Sequence, residues 1–319
     1  MNYNSLAIEI TRKCSLNCAH CCYSGGINTK ADIDIEKFSS FVSGLTDDKN
    51  IMAISLTGGE PFYCFNLLKA CVEVAHNNKF QVGVVTSGVW ASSYKHAIER
   101  IQELKNCGLN MITVSLDEYH LKYVKKDCIL NLAKAARICK VEISIQVAVL
   151  NNSELGCIFN GLQQILPYIH VEFIKTYPVG NAVNINKEYF ITDVSVSNAF
   201  CEKGSSYFVS SEFELFPCCS PLAHTCCFNL GIVSEKKGLE IRNLLERNKT
   251  LAVIRHFGFA PYQDVLEEAF SKGTRVVSAC ELCSYLFSEK NYIKTLIQTN
   301  LFIENYVCNE HLDLYSRIL

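Results

Sequence analysis

Three cysteines near the amino terminus have a spacing that can hold an inorganic cluster. Cys14, Cys18 and Cys21 lie four and three residues apart, directly after the apolar run 6–10. Three thiolates from one loop can converge on a metal centre and leave one metal position open, whereas a purely structural zinc or iron–sulfur site takes four protein ligands and is closed. The trio therefore indicates a centre that also binds a substrate or cofactor.

A glycine-rich turn, Thr57-Gly58-Gly59-Glu60-Pro61, ends the next apolar run. Glycine permits a close approach of backbone to a neighbouring group, and the Glu60 carboxylate can bind an ammonium group. By itself, the cysteine loop could also be a zinc site completed by Cys22 or His20. The position of both motifs after strand-like runs favours a shared functional site instead.

The composition excludes several classes of partner. The chain has 319 residues, of which 49% are hydrophobic and 19% charged, as in globular proteins. Its net charge is −2, and it has no basic stripe for nucleic acid. There is no signal-peptide pattern, and no apolar run approaches the roughly 18 residues of a membrane span. We therefore expect a cytoplasmic protein with no nucleic-acid and no membrane partner, and without disulfides.

Strand-like and helical segments alternate through the first half. The strand-like segments are 6–11, 51–57, 80–86, 110–115, 141–149 and 170–176, and the helical ones are 34–45, 65–76, 92–107, 121–139 and 153–165. Units of about 30 residues predict right-handed crossovers between parallel strands. Six such units predict an α/β fold, an open partial (βα)6 TIM-like barrel with its chemistry at the carboxyl ends of the strands.

Other polar residues also lie on or just after these strands. Ser87 follows the third strand, Ser115 and Asp117 end the fourth, and Gln146 lies on the fifth. Each could line a pocket shared with the cysteine loop. Serine and aspartate also favour turns and caps, so a purely structural role is equally open for each of them.

The pattern changes in the second half, where cysteines cluster. We divide the chain into a barrel, 1–184, and a second domain, 185–319, with helical segments at 238–257, 262–271 and 289–306. A set of four cysteines in this domain could bind a complete iron–sulfur cluster or a zinc ion. Its members are Cys201, Cys218, Cys280 and Cys283.

Cys219 directly follows one member of this set. Because adjacent residues of an extended chain point in opposite directions, a Cys218 that binds metal leaves Cys219 as a free thiol. Such a thiol can donate a hydrogen atom to a carbon radical. Alternatively, both cysteines bind metal, or Cys219 is buried filler.

Other cysteines carry no clear chemical signal. The pair Cys226-Cys227 could be incidental or supply an alternative ligand. Six cysteines that occur singly in apolar or helical contexts are expected to be core or incidental. They are Cys64, Cys71, Cys107, Cys128, Cys139 and Cys157.

The cysteine loop and the Gly-Gly-Glu turn together resemble the signatures of the radical S-adenosylmethionine (SAM) superfamily. Three further motifs, 115–120, 216–221 and 280–287, narrow the resemblance to the YydG-type radical SAM peptide epimerases. The match spans most of the chain, and the order of the motifs agrees.

The resemblance implies the cofactors and their ligands. It implies that Cys14, Cys18 and Cys21 hold a 4Fe–4S cluster whose open iron binds SAM. It also implies a second, auxiliary 4Fe–4S cluster on the later four-cysteine set, in a shortened auxiliary-cluster domain. The residues implied to contact SAM are Gly58, Gly59 and Glu60 at its amino group and Ser87, Ser115, Asp117 and Gln146 at its ribose and carboxylate.

The resemblance also implies a reaction, the conversion of L- to D-residues in a ribosomally made precursor peptide. The adenosyl radical would abstract a Cα hydrogen from one face, and Cys219 would return hydrogen from the other. The nearby cluster would help re-reduce the thiyl radical, with electrons from a donor such as flavodoxin or ferredoxin. One departure is the loop after Cys201, which reads Glu-Lys-Gly-Ser-Ser where the family tends to carry an acidic residue further on.

Two alternative functions remain open on the sequence. The first is a radical SAM enzyme that crosslinks its peptide through a thioether or carbon–carbon bond. The second is a non-catalytic binding protein stabilised by zinc or by a cluster.

Overall fold

Eight strands form one sheet in the computed structural model, which describes residues 4–23, 32–201, 206–224, 226–271 and 273–309. The sheet order is β6-β5-β4-β3-β2-β1-β8-β9. The six strands from the first half are β1 (Ser5–Thr11), β2 (Ala53–Gly58), β3 (Gln81–Thr86), β4 (Met111–Ser115), β5 (Glu142–Val149) and β6 (His170–Lys175).

These six strands are parallel, and each pairs with the next along the chain. The α/β class and the partial barrel predicted from the sequence are thereby confirmed. The sheet also contains β8 (Ser206–Val209), parallel to β1, and β9 (Leu215–Phe216), antiparallel to β8. The short strands β7 (Val194–Ser195) and β10 (Arg275–Val276) pair separately.

Helices of the first half cover the sheet. They are α1 (Ile35–Gly44), α2 (Phe65–Asn77), α3 (Tyr94–Asn106), α4 (Lys126–Cys139) and α5 (Leu155–Phe159). Asp34 caps α1 as predicted, because its carboxylate accepts the N–H groups of Glu36 and Lys37. On β1, Leu6, Ile8 and Ile10 are fully buried, and each such side chain stabilises the fold by about 1.5–3 kcal/mol.

Two predicted helices of the first half differ from the structure. The segment predicted at 121–139 is helical only from Lys126, after a 3₁₀ turn at His120–Lys122. The segment predicted at 153–165 is a single turn, Leu155–Phe159. It stops before Gly161, whose φ of 84° is left-handed and does not continue a right-handed helix.

The second half contributes α6 (Gly238–Glu246), α7 (Lys249–Phe257), α8 (Gln263–Leu266), α9 (Ala279–Leu286) and α10 (Tyr292–Asn309). The helix predicted over 238–257 is divided at Asn248, whose side chain caps α7 by accepting the N–H of Leu251 at 3.0 Å. Among the described helices, none is long and apolar enough to cross a membrane. The boundary at residue 184 stays a prediction, and two strands from beyond it extend the main sheet.

Candidate functional site

The first three cysteines follow β1 on one loop, and their thiols interact electrostatically. Burial, and then the charges of Asp117, Cys21 and Cys14, raise the pKa of the Cys18 thiol to about 12. Burial also raises the pKa of Cys14, with added contributions from Glu60 and Cys21. Such thiols become ligands by losing their protons to a metal. Three of them on one loop fit the open cluster site predicted from their spacing.

Contacts with two other segments fix this cysteine loop. Asn181, after β6, donates its backbone N–H to the carbonyl of Cys21 at 2.9 Å and its side-chain amide to that of Cys18 at 3.1 Å. Gly180 fits because a Cβ there would lie 2.4 Å from the Cys21 carbonyl oxygen. On the other side, the Tyr123 hydroxyl donates to the carbonyl of Asn17 at 2.7 Å.

The Gly-Gly-Glu turn lies against the same loop. Gly59 donates its N–H to the carbonyl of Thr11 at 2.7 Å, and Glu60 donates to that of Lys13 at 2.8 Å. A Cβ at Gly58 would lie 2.0 Å from the Thr11 carbonyl oxygen, and one at Gly59 would lie 2.3 Å from that of Lys13. Both glycines therefore let the turn approach the backbone at the start of the cysteine loop.

Glu60 is a buried carboxylate, 2% exposed. One of its oxygens accepts the Thr86 hydroxyl at 2.7 Å and the Phe62 N–H at 3.1 Å. The other accepts the Ser87 N–H at 2.9 Å and the Ser87 hydroxyl. Within the described residues no cationic side chain pairs with it. A buried anion of this kind is stabilised by an external cation, so the residue fits the amino group of SAM.

Ser87, one of the residues predicted to contact SAM, donates two hydrogen bonds to Glu60. Ser115 and Gln146 are level with each other on neighbouring strands. Both are half-buried, and the Gln146 amide donates to Glu172 on β6 at 3.2 Å. Ser115 ends β4 and Gln146 lies within β5, the positions that the sequence predicts for them.

Asp117 is almost completely buried and has four hydrogen bonds. One oxygen accepts the backbone N–H groups of Tyr119 and His120 at 3.0 and 2.9 Å. The other lies 2.8 Å from Nδ1 of His120 and 3.2 Å from Nε2 of His20. Burial would raise the pKa of Asp117, but the bonds from His120 and His20 outweigh it and hold that pKa well below its usual value. Asp117 thus connects the end of β4 to the cysteine loop.

The four later cysteines line one cavity of about 590 Å³. Cys280 and Cys283 lie one turn apart on α9, Cys218 follows β9, and Cys201 precedes β8. Burial, then the neighbouring Cys218, Cys201 and Cys280, raise the pKa of Cys283 well above its usual value. The four thiols therefore lie around one cavity and interact electrostatically. Four thiolates are the donor set of a complete iron–sulfur cluster or of a zinc site.

Cys219 is exposed, unlike Cys218, whose thiol pKa burial raises to about 12. The phenol of Tyr23 interacts electrostatically with both cysteine regions. Burial raises its pKa, and Cys22, Glu9, Cys219 and Cys21 add to the effect. Cys219 therefore lies within electrostatic range of a side chain two residues from the first cysteine trio.

The remaining cysteines differ in their exposure to solvent. Cys71, Cys128 and Cys139 are buried, and Cys157 is exposed. Cys227 packs against the core of the second half, and the side chain of Cys226 lies outside the described residues.

The sequence did not predict the hydrogen bonds of Asn181 to the cysteine loop or the contact between His20 and Asp117. Each of these contacts joins segments about 100 or more residues apart. The only sequence signals are His20 beside Cys21 and the Gly-Asn pair after the sixth strand.

Comparison with known proteins agrees with this geometry. The family model of the radical SAM superfamily matches residues 8–146, and that family uses SAM and a 4Fe–4S cluster. YydG of Bacillus subtilis (strain 168), a protein named for peptide biosynthesis, is 26% identical over 304 residues, which cover 91% of this chain and 94% of YydG. The GTP 3',8-cyclase of Desulforamulus reducens is 27% identical over 198 residues, which cover 56% of this chain and 57% of that enzyme.

Solved structures share the fold. Native anSMEcpe with bound AdoMet superposes with a TM-score of 0.58 at 15% identity, over 93% of this chain and 99% of that one. The same protein with AdoMet and the Kp18Cys peptide gives a TM-score of 0.54 at 15% identity, again over 93% and 99% of the two chains.

Proposed function

We propose that this protein, whose residues 8–146 match the family model of the radical SAM superfamily, is an epimerase of ribosomally made peptides. The observation that carries the proposal is the exposed Cys219 thiol, whose two chain neighbours, Cys218 and Ser220, line the cavity of the four later cysteines. Similarity to YydG over nearly the whole of both chains supports a peptide substrate.

The residues of the first site have separate tasks. Cys14, Cys18 and Cys21 would hold the 4Fe–4S cluster, and Glu60 would bind the ammonium group of SAM. When bound, cluster and SAM would supply the radical chemistry that removes a hydrogen atom from a peptide Cα. Thr86 and Ser87 orient Glu60 through their hydrogen bonds, and Asp117 positions the cysteine loop through His20.

Cys219 completes the inversion. Its S–H bond breaks homolytically, the hydrogen atom forms a new Cα–H bond on the opposite face of the peptide, and the sulfur becomes a thiyl radical. One electron and one proton then restore the thiol. We assign the electron to a low-potential donor such as flavodoxin or ferredoxin, and the proton to solvent, with which the exposed thiol can exchange.

A second cluster on Cys201, Cys218, Cys280 and Cys283 is also part of the proposal. All four line one cavity, and Cys218 directly precedes Cys219 in the chain, so electrons can reach the thiyl radical from this cluster. A cytoplasmic location suits the proposal, because thiols stay reduced there.

Turnover in deuterated water tests the reaction against its closest rival, peptide crosslinking. The Cys219 thiol exchanges with solvent, so an inverted peptide should be heavier by one deuterium. A crosslinked peptide should instead be lighter by two hydrogens. A modified product that contains no solvent deuterium is incompatible with epimerisation.

A further inference from the structure

Strand β6 forms one edge of the main sheet, and it pairs with β5 alone within the described residues. The N–H of Thr176, just after the strand, donates to the carbonyl of Val149 on β5 at 3.0 Å. Because backbone groups alternate in direction along a strand, Glu172 and Ile174 also face β5. The backbone groups of Val171, Phe173 and Lys175 therefore face outward.

These outward groups are available for pairing. Across the described ranges, no hydrogen bond reaches the backbone N–H or C=O of Val171, Phe173 or Lys175. The Phe173 side chain is 51% exposed. A lysine on an edge strand often discourages pairing with another chain. Here the Lys175 ammonium is held by Asp193 and by the Val277 carbonyl.

The cysteine-lined cavity runs beside this edge. Four successive residues of the strand, 172–175, line it. Successive side chains of a strand point to opposite faces of the sheet. A cavity on one face would therefore be lined by every second residue, whereas a cavity along the edge of β6 can be lined by all four.

The far side of the cavity is formed by the four later cysteines and by Ser220, the residue after Cys219. Ser220 is 2% exposed, and its hydroxyl has no hydrogen-bond partner within the described part of the chain. A polar group from a molecule in the cavity can supply that partner.

We infer that an extended peptide binds as an added strand along the free edge of β6, in the cavity between this edge and the four cysteines. The outward groups recur every second residue, at intervals of about 6.6 Å, which is the repeat of an extended peptide backbone. Pairing of this kind recognises backbone and so accepts varied side chains. The identification of this peptide as the substrate rests on the proposed function. The binding of a peptide along the edge of β6 does not depend on that function.

A proline substitution tests the docking mode. Phe173→Pro removes one outward N–H, and proline is tolerated on an edge strand where that group faces away from the sheet. The matched control, Phe173→Ala, removes the same side chain and keeps the N–H. A second control, Ile174→Pro, removes an N–H that faces β5 and should lower the melting temperature.

The probe is a fluorescent twelve-residue peptide selected from a random display library against the wild-type protein with SAM present. Loss of one backbone hydrogen bond and the steric block should weaken its binding about tenfold in Phe173→Pro. Phe173→Ala should bind more tightly than Phe173→Pro. Methylation of alternate backbone nitrogens in the peptide should weaken binding to the wild type in the same way.

Equal affinity for both Phe173 variants, or failure to select a peptide that Phe173→Pro weakens, overturns the inference. The proposed function fails separately. If peptides bind through this edge and none acquires a D-residue, the docking mode stands and epimerisation does not. If peptides are inverted equally by the wild type and Phe173→Pro, epimerisation stands and the docking mode does not.

Discussion

At the scale of single residues, the first site depends on close contacts between backbone segments. Gly59 packs directly on the carbonyl of Lys13, and its N–H bonds to Thr11, so the turn that carries Glu60 is fixed against the cysteine loop. The position of the Glu60 carboxylate relative to Cys14 is therefore set by a contact that a side chain would prevent.

Replacing Gly59 should disturb this contact. In Gly59→Ala the new Cβ would lie 2.3 Å from the Lys13 carbonyl oxygen, so the backbone must shift. We expect a loss of about 1–3 kcal/mol in the free energy of unfolding and weaker SAM binding. Urea denaturation and calorimetric titration with SAM measure the two effects.

Gly156→Ala is the matched control, because nothing lies within 4 Å of a Cβ at that position. It should leave the stability and the SAM affinity near those of the wild type. Equal behaviour of the two variants would show that the turn is not held in this way.

The sequence predicts the role of a residue where the motif that contains it is short and continuous. The spacing of Cys14, Cys18 and Cys21 and the Gly-Gly-Glu turn each lie within one short segment. The role of Asp117 was not predictable, because its histidine partners become apparent only when the end of β4 meets the cysteine loop.

At the scale of elements, α6 from the second half is bound to the barrel by a buried ion pair. Nε of Arg242 lies 2.6 Å from the Asp48 carboxylate, with 11% and 1% of the two side chains exposed. Gly238 at the start of α6 also packs closely, since a Cβ there would lie 2.8 Å from the Leu45 carbonyl oxygen. This contact joins the loop before β2 to a helix nearly 200 residues later.

The ion pair predicts a pH-dependent stability. Burial would raise the pKa of Asp48, but the Arg242 hydrogen bond and further bonds outweigh burial and lower it. Its contribution is therefore present above the unfolded pKa of about 4 and is lost as the pH falls through the lower folded value. We expect Asp48→Asn to cost about 3 kcal/mol at neutral pH and less near pH 3, as measured by urea unfolding.

The exposed Asp127 provides the control. Asp127→Asn makes the same chemical change without breaking a buried pair, so its cost should be much smaller. A deficit for Asp48→Asn that stays constant down to pH 3 contradicts the assigned role.

The elements of the first half were largely predictable, because β-branched runs alternate with helical spacing there. Strands β8 and β9 were not predictable from the sequence. Strand β8 joins the main sheet only by pairing with β1, which lies about 200 residues earlier in the chain. The break between α6 and α7 was also missed, because Asn248 can either continue a helix or cap one.

At the scale of the whole molecule, the chain carries two sets of thiols, and Tyr23 interacts electrostatically with Cys21 of the first set and with Cys219, the neighbour of Cys218 in the second. If both sets hold 4Fe–4S clusters, anaerobically purified protein should contain about eight iron atoms per chain. Replacing Cys280 and Cys283 together by alanine should reduce this to about four, as measured by iron and sulfide analysis.

Zinc at the second site would instead leave about four iron atoms in the wild type, with one zinc ion that the double substitution removes. Zinc with no iron at all would contradict radical chemistry and favour a non-catalytic binding protein. A matched double substitution of the buried Cys71 and Cys139 should leave the iron content unchanged.

The most direct test of the account is the Cys219→Ala variant. This substitution removes the proposed hydrogen donor and leaves both sets of proposed ligands intact. With the precursor peptide, SAM and a reductant, the variant should still cleave SAM to 5'-deoxyadenosine but form no D-residue, as measured by chiral amino-acid analysis of the peptide. D-residues formed by the variant at the wild-type rate would contradict the assignment of Cys219 as the hydrogen donor.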